Sequence, residues 1–158
     1  MGKLLRRWLK QSAAMPPGLD AMLNLFVAGK LIENDFEEML RPFGVTRRQF
    51  NVLRILKGVH PDGHPRSEIA ARVLEQSPDI TRIIDRLEEQ GYLTRKRGTK
   101  DKRESLSVIT TKGINIVEKI NPHIEQFTKS IEKTLTPTGC EMLSELCEKL
   151  YSAKVPEA

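Results

Sequence analysis

Cysteine is nearly absent: Cys140 and Cys147 are the only two in 158 residues. Two are too few for a disulfide scaffold, and a spacing of seven suits one helix, so a reducing compartment fits. Histidine is also scarce, with three residues that are scattered or in loops. No Ser, His and Asp arrangement, nucleotide-binding loop or paired metal motif accompanies them, which leaves an enzymatic reading without support. No stretch approaches the ~18 uninterrupted apolar residues of a membrane span. The N-terminal MGKLLRRWLKQSAAMPPG places basic residues inside its short apolar run, unlike the apolar core of a signal peptide. The chain is therefore expected to be cytoplasmic, without membrane contact. Internal repeats and low-complexity tracts are lacking too.

What is present is an ordinary soluble composition, 39% hydrophobic and 30% charged, with a net charge of +5 and a pI near 9.3. A chain of this length can bury roughly 70% of its unfolded surface, so one domain or two small lobes can form without staples. The basic excess leans toward a polyanionic partner.

Residues 1–18 read as a flexible leader ending at Pro16-Pro17-Gly18. From about residue 20 to 40, Met22, Leu25, Phe26, Ile32, Phe36, Met39 and Leu40 recur at helical spacing, and Leu23, Val27 and Leu31 widen the stripe to a second side. A helix apolar on two sides needs two neighbours, one of which can be another subunit. Thr46 and Gln49 form a capping box that opens a helix through Phe50, Leu53, Ile55 and Leu56. Lys57 to Pro65 reads as a loop, because it holds two Gly and two Pro.

Ser67 is positioned to cap a short helix with Ile69, Ala70 and Val73 inward. After a turn at Leu74-Glu-Gln76, Ser77 is an N-cap and Pro78 takes the first helical position. Ile80, Ile83, Ile84 and Leu87 then make one apolar face, with Thr81, Arg82, Asp85, Arg86 and Glu89 on the other and Gly91 ending the helix. Two strands are predicted, Tyr92 to Lys96 and Ser105 to Ile109, and the tip between them begins in RKRGTKDKR. A long helix follows from Thr111, with a seam of Val117, Ile120, Ile124, Phe127 and Ile131 and an expected kink or break near Asn121-Pro122. Thr136-Pro137 opens a last helix with Cys140, Leu143, Cys147 and Leu150 on one side.

Helix, tight turn, helix and basic hairpin is the order of a winged helix-turn-helix, whose second helix enters a major groove. Thr81 and Arg82 lie where such a helix meets base edges, and Arg86 lies a turn later, suited to a phosphate. Arg95, Lys96, Arg97, Lys100, Lys102 and Arg103 extend the positive surface along the hairpin. The plainer alternative is a pair of amphipathic helices whose polar faces are simply wet.

Residues 77–113 resemble the MarR family of bacterial and archaeal transcriptional regulators. The match is carried by Thr81-Arg82, Arg86-Leu87-Glu88, Gly91, Asp101-Lys102-Arg103 and Thr110-Thr111-Lys112-Gly113. The resemblance implies a mainly α fold. A winged helix-turn-helix DNA-binding domain over 45–110 carries a two-stranded β wing, and helices at 19–41 and 111–153 form a dimerisation lobe. It implies a homodimer on a pseudo-palindromic operator in double-stranded DNA, repression as the expected sign, and modulation by a small-molecule or redox signal. DNA contacts are expected from Ser77, Thr81, Arg82, Arg86, Arg95, Arg97, Lys100, Lys102 and Arg103, with Arg103 in a minor groove and Asp101 holding it by an ion pair. Asp79, acidic in the first turn, either caps the helix dipole or accepts from a cytosine amine. The alternative function is a winged-helix module for protein contacts.

No cofactor is expected. His60, Asp62 and His64 could join Glu68 or His123 around a divalent metal, but a turn with solvated polar groups is the simpler reading, so no metal is expected. Cys140 and Cys147 could sense oxidants, yet their seam positions favour packing as small apolar groups.

Overall fold

The computed structural model describes residues 3–10, 15–73, 79–98 and 105–154. The chain divides into two compact units, Met1–Arg47 and Arg48–Ala158.

In the first unit, a short helix α1 spans Lys3–Trp8, within the segment expected to be a flexible leader. Its run of strong helix formers buries Leu5 while Leu4 and Trp8 stay exposed. The long helix α2, Pro17–Leu40, starts on a proline whose missing amide hydrogen costs nothing at the first position. Its two-sided stripe is only partly used: Phe36 and Met39 are half-buried, whereas Met22, Leu25, Phe26, Leu31 and Ile32 stay exposed.

The second unit opens with α3, Arg47–Gly58, which begins one residue after Thr46 as the capping signal predicts. It then holds α4 at Arg66–Arg72 and α5 at Ile80–Glu89. Two longer helices, α6 at Thr111–Leu135 and α7 at Pro137–Tyr151, complete it. Phe50, Val52, Leu53 and Leu56 of α3 are buried with Ile69, Ile80, Ile84, Leu87, Val117 and Ile120. Each such side chain contributes about 1.5–3 kcal/mol relative to exposure.

Three strands, not two, form the sheet: β1 (His64–Pro65), β2 (Leu93–Arg97) and β3 (Ser105–Ile109). They lie antiparallel in the order β1-β3-β2. The expected loop at Lys57 to Pro65 is thus shortened from both ends. α3 runs on to Gly58, and His64–Pro65 pairs with Leu106 and Ser107 at the sheet edge, where a proline's missing donor is tolerated.

Other boundaries shift for local reasons. α4 starts at Arg66 with extended Pro65 as its N-cap, so Ser67 is already inside the helix and is not its cap. α5 begins at Ile80 with Asp79 at the N-cap position, later than a cap at Ser77 would start it; Ser77 and Pro78 lie outside the described residues. β2 begins at Leu93 because Tyr92 closes the preceding helix. No break occurs at Asn121-Pro122: α6 is continuous across Pro122. A proline removes one bond of the helical ladder, and the turns on either side keep theirs.

Two helix starts are capped by hydroxyls, one at the expected Thr136 and one at Thr110. Thr136 Oγ1 accepts from the Gly139 amide at 3.3 Å with Pro137 at the first position, and Thr110 Oγ1 accepts from the Gly113 amide at 3.1 Å. Each hydroxyl satisfies an orphan donor, worth about 1 kcal/mol.

Candidate nucleic-acid interface

α5 has a sharp division of faces. Ile80, Ile84 and Leu87 are buried, while Thr81, Arg82, Arg86 and Glu89 are exposed. The burial holds one side of the helix against α4 and β2, which fixes which residues face outward.

The C-terminal end of α5 is closed by a two-bond cap. Gly91, at φ 73°, donates to Glu88 O at 2.8 Å, and the Tyr92 amide donates to Leu87 O at 2.9 Å. A side chain at φ near 73° would be strained, which accounts for the glycine. The start of α6 then fastens this end. Thr110 Oγ1 donates to Gly91 O at 2.8 Å, the Thr110 amide donates to Tyr92 O at 3.0 Å, and Lys112 Nζ donates to Gln90 O at 2.7 Å. Lys112 also lies 5.0 Å from the centre of the Tyr92 ring, a cation–π distance. Its charge sits where carbonyl dipoles point, a favourable place for a cation. Gly113 completes the junction. A Cβ there would overlap the Tyr92 carbonyl oxygen and come within 2.7 Å of Ile109 Cγ1. The Thr110-Thr111-Lys112-Gly113 motif is thus the joint between α5 and the long helix α6.

At the other end of α5, Arg82 Nη1 is 3.7 Å from Asp79 Oδ1, with the arginine side chain 79% exposed. A surface pair of this kind is worth about 0–1 kcal/mol, so Arg82 can leave it for a better acceptor. Asp79 therefore has an arginine partner, which neither sequence reading of it anticipated. Arg86 is exposed one turn later.

Arg95 stands apart from the other expected cations. From the middle of β2 its guanidinium bonds two carboxylates of α5, Asp85 Oδ1 through Nη2 and Glu88 Oε2 through Nη1, the latter at 2.7 Å. The hydrogen bond to Asp85 is the main cause that pushes its pKa above the ordinary arginine value, with the charges of Glu88 and Asp85 adding to it against partial burial. Arg97, two residues on, is exposed on the same side of the strand. Lys100, Lys102, Arg103 and their expected partner Asp101 lie outside the described residues, as does Ser77. The structure thus gathers Thr81, Arg82 and Arg86 on one helix face and sets the strand with Arg95 and Arg97 against the same helix.

The minor candidates do not converge. Among the described residues, no three His, Cys, Asp or Glu side chains are grouped to hold a metal ion, so His60, Asp62 and His64 are not brought together with Glu68 or His123. His64 instead belongs to β1, with Nε2 buried and unpartnered. Cys140 and Cys147 are free and half-buried on α7. Sequence reasoning missed the acids Asp85 and Glu88 as functional partners; the signal available was their i, i+3 spacing beside a basic strand. No described helix is long and apolar enough to cross a membrane.

Comparison with known proteins turns this geometry into an identity. The sequence model of the MarR family matches residues 45–105. An uncharacterised HTH-type transcriptional regulator of Bacillus subtilis, YwoH, is 35% identical over 104 residues, covering 66% of this chain and 74% of that protein. The chain belongs to the MarR family. It is a winged helix-turn-helix transcriptional regulator of the DNA-binding kind, and its relatives are regulators rather than enzymes. Solved MarR-like structures share the fold. The Staphylococcus aureus MepR–DNA complex matches with a TM-score of 0.73 at 20% identity, over 84% of this chain and 96% of that one. CouR of Rhodococcus jostii, bound to p-coumaroyl-CoA, matches with a TM-score of 0.74 at 19% identity, over 92% of this chain and 99% of that one.

Proposed function

We propose that this MarR-family chain is a repressor that binds a pseudo-palindromic operator as a homodimer. α5 enters the major groove, with half-sites about one helical turn, ~10 base pairs, apart. The observation that carries the reading is the outward row of Thr81, Arg82 and Arg86 on a helix whose opposite face is buried. Arg82, in the first turn, reads a base edge, with two donors suited to guanine; Thr81 contacts a neighbouring base or phosphate, and Arg86 meets a phosphate. Arg97 continues the positive surface along the hairpin, and Lys100, Lys102 and Arg103 at its tip follow the backbone and the flanking minor groove. Asp101 steadies Arg103. Ser77 donates to the backbone ahead of the helix.

The dimer reading is supported by unpartnered apolar faces. α7 leaves Met142, Leu143, Leu146 and Leu150 at 44–67% exposure, and α2 leaves Met22, Leu25, Phe26, Leu31 and Ile32 at 40–62%. Apolar patches of this kind on a small soluble chain mark an interface. We assign both to the second copy, so that 19–41 and 111–153 serve dimerisation and 45–110 serves DNA. A small-molecule or redox signal then alters the spacing of the two DNA-reading helices. The ligand seen in CouR favours the small-molecule branch, and the half-buried settings of Cys140 and Cys147 favour packing over oxidant sensing.

Titration of the purified protein against the DNA upstream of its own gene, at several salt concentrations, tests the reading. A steep fall of affinity with salt and a preference over scrambled DNA are expected. A flat salt response, or equal affinity for scrambled DNA, contradicts it and favours a winged-helix module for protein contacts.

A further inference from the structure

Among the expected DNA-contacting cations that are described, Arg95 is the one whose guanidinium is committed to two separate carboxylates. Asp85 and Glu88 are three residues apart, one above the other on α5, and in line with Thr81 at i, i+4 and i+7. Each acid takes a different terminal nitrogen of the same fork. A single ion pair lets a helix swivel about the contact. Two contacts a turn apart fix both its rotation and its position along the strand, and the rigid planar guanidinium is suited to that task where an ammonium is not.

Arg95 reaches these acids from the third residue of β2. Its backbone is paired with Ser107 of β3, which in turn pairs with His64 of β1. The fork therefore ties α5 to a strand anchored within the three-stranded sheet. The side chains involved are 35–44% exposed, intermediate between a wet surface pair and a buried one. A phosphate that drew Arg95 away would have to outcompete two carboxylates that already hold both arms of its fork, and would leave two anions beside the polyanion. Asp85 and Glu88 also carry a charge cost of their own near DNA, which the arginine halves.

From this geometry we infer that Arg95 is a positioning residue that sets the angle between the recognition helix and the wing, and that it does not contact phosphate. This rests on the reading of α5 as the DNA-reading helix. Its consequence is that Asp85 and Glu88, though acidic, are needed for sequence discrimination.

Four proteins decide it: the full-length wild type, Arg95→Met, Arg95→Lys and the double variant Asp85→Asn/Glu88→Gln. Each is titrated against its own upstream DNA and a scrambled duplex across a salt series. The clasp predicts that Arg95→Lys, which keeps the charge and loses the fork, falls about tenfold in the operator-to-scrambled ratio, as Arg95→Met does. Arg95→Met leaves the salt slope unchanged. The double variant binds scrambled DNA more tightly and also loses discrimination. A phosphate contact predicts the reverse: Arg95→Lys behaves as wild type, Arg95→Met lowers the slope by about 0.9 and weakens both DNAs equally, and the double variant tightens both with the ratio intact. Any of these three results overturns the clasp.

Amide exchange without DNA separates the two layers of the reading. The β2 amides should exchange about tenfold faster in Arg95→Met, in Arg95→Lys and in the double variant, and adding Arg95→Met to the double variant should speed them no further. If the wild type discriminates no DNA while this pattern holds, the clasp stands and the operator reading fails. Unchanged exchange in all variants overturns the clasp whatever the DNA result.

Discussion

Replacing Gly113 by alanine loads the joint between α5 and α6 with one methyl group. In an open helix the change would stabilise by about 1 kcal/mol, since alanine is the better helix former. Here the new Cβ overlaps the Tyr92 carbonyl oxygen and lies 2.7 Å from Ile109 Cγ1, where ordinary contacts are nearer 3.5 Å. Relief requires backbone movement of roughly 1 Å at Tyr92, whose carbonyl accepts from the Thr110 amide at 3.0 Å. Overpacking of this kind costs about 1–3 kcal/mol. Weakening the Thr110 bonds to Tyr92 O and Gly91 O adds about 1 kcal/mol each. Net of the helix gain, the loss is about 2–4 kcal/mol, a fall in Tm of roughly 4–16 °C for a chain of this size. The assay is a thermal melt followed by circular dichroism, with Gly58→Ala as control because a Cβ there meets nothing within 4 Å. A Gly113→Ala protein that melts at or above wild type, with the Gly58→Ala control also at or above it, refutes the close-contact account of the joint.

Three further outcomes follow from the same structure. Arg82→Ala should lower affinity for the preferred operator by about 1–3 kcal/mol and relax preference at one base position, read by selection from a randomised site. Arg86→Ala should instead weaken all DNAs alike and reduce the salt slope by about one; equal behaviour of the two variants would remove the division of labour along α5. Leu146→Glu places a charge on a residue that is 59% exposed in the single chain, so helix content should survive while sedimentation shifts from dimer to monomer. An unshifted dimer would move the interface off α7.

Much of the fold could be read from local chemistry. Thr136-Pro137 and Gly91 mark helix ends because capping depends on one or two neighbouring residues, and each does so in the structure. The alternation of buried and exposed residues on α5 followed from its 3.6-residue period. What escaped depends on partners distant in sequence. His64–Pro65 becomes a strand only because β3 offers an edge some forty residues later, and two residues are too few to show a period. Pro122 signals a break locally, but one missing bond does not end a helix of 25 residues. Arg95 shows the limit for the site. Composition placed it with the DNA-facing cations, and only the approach of β2 to α5 reveals that Asp85 and Glu88 hold it.

The central claim, that α5 and its hairpin read DNA, is tested most directly by the salt dependence of binding to the protein's own upstream region against a scrambled duplex. The account predicts a linear fall of log affinity with log salt and a clear preference for the upstream DNA at every concentration. A slope near zero, or indistinguishable affinities for the two duplexes, would contradict it.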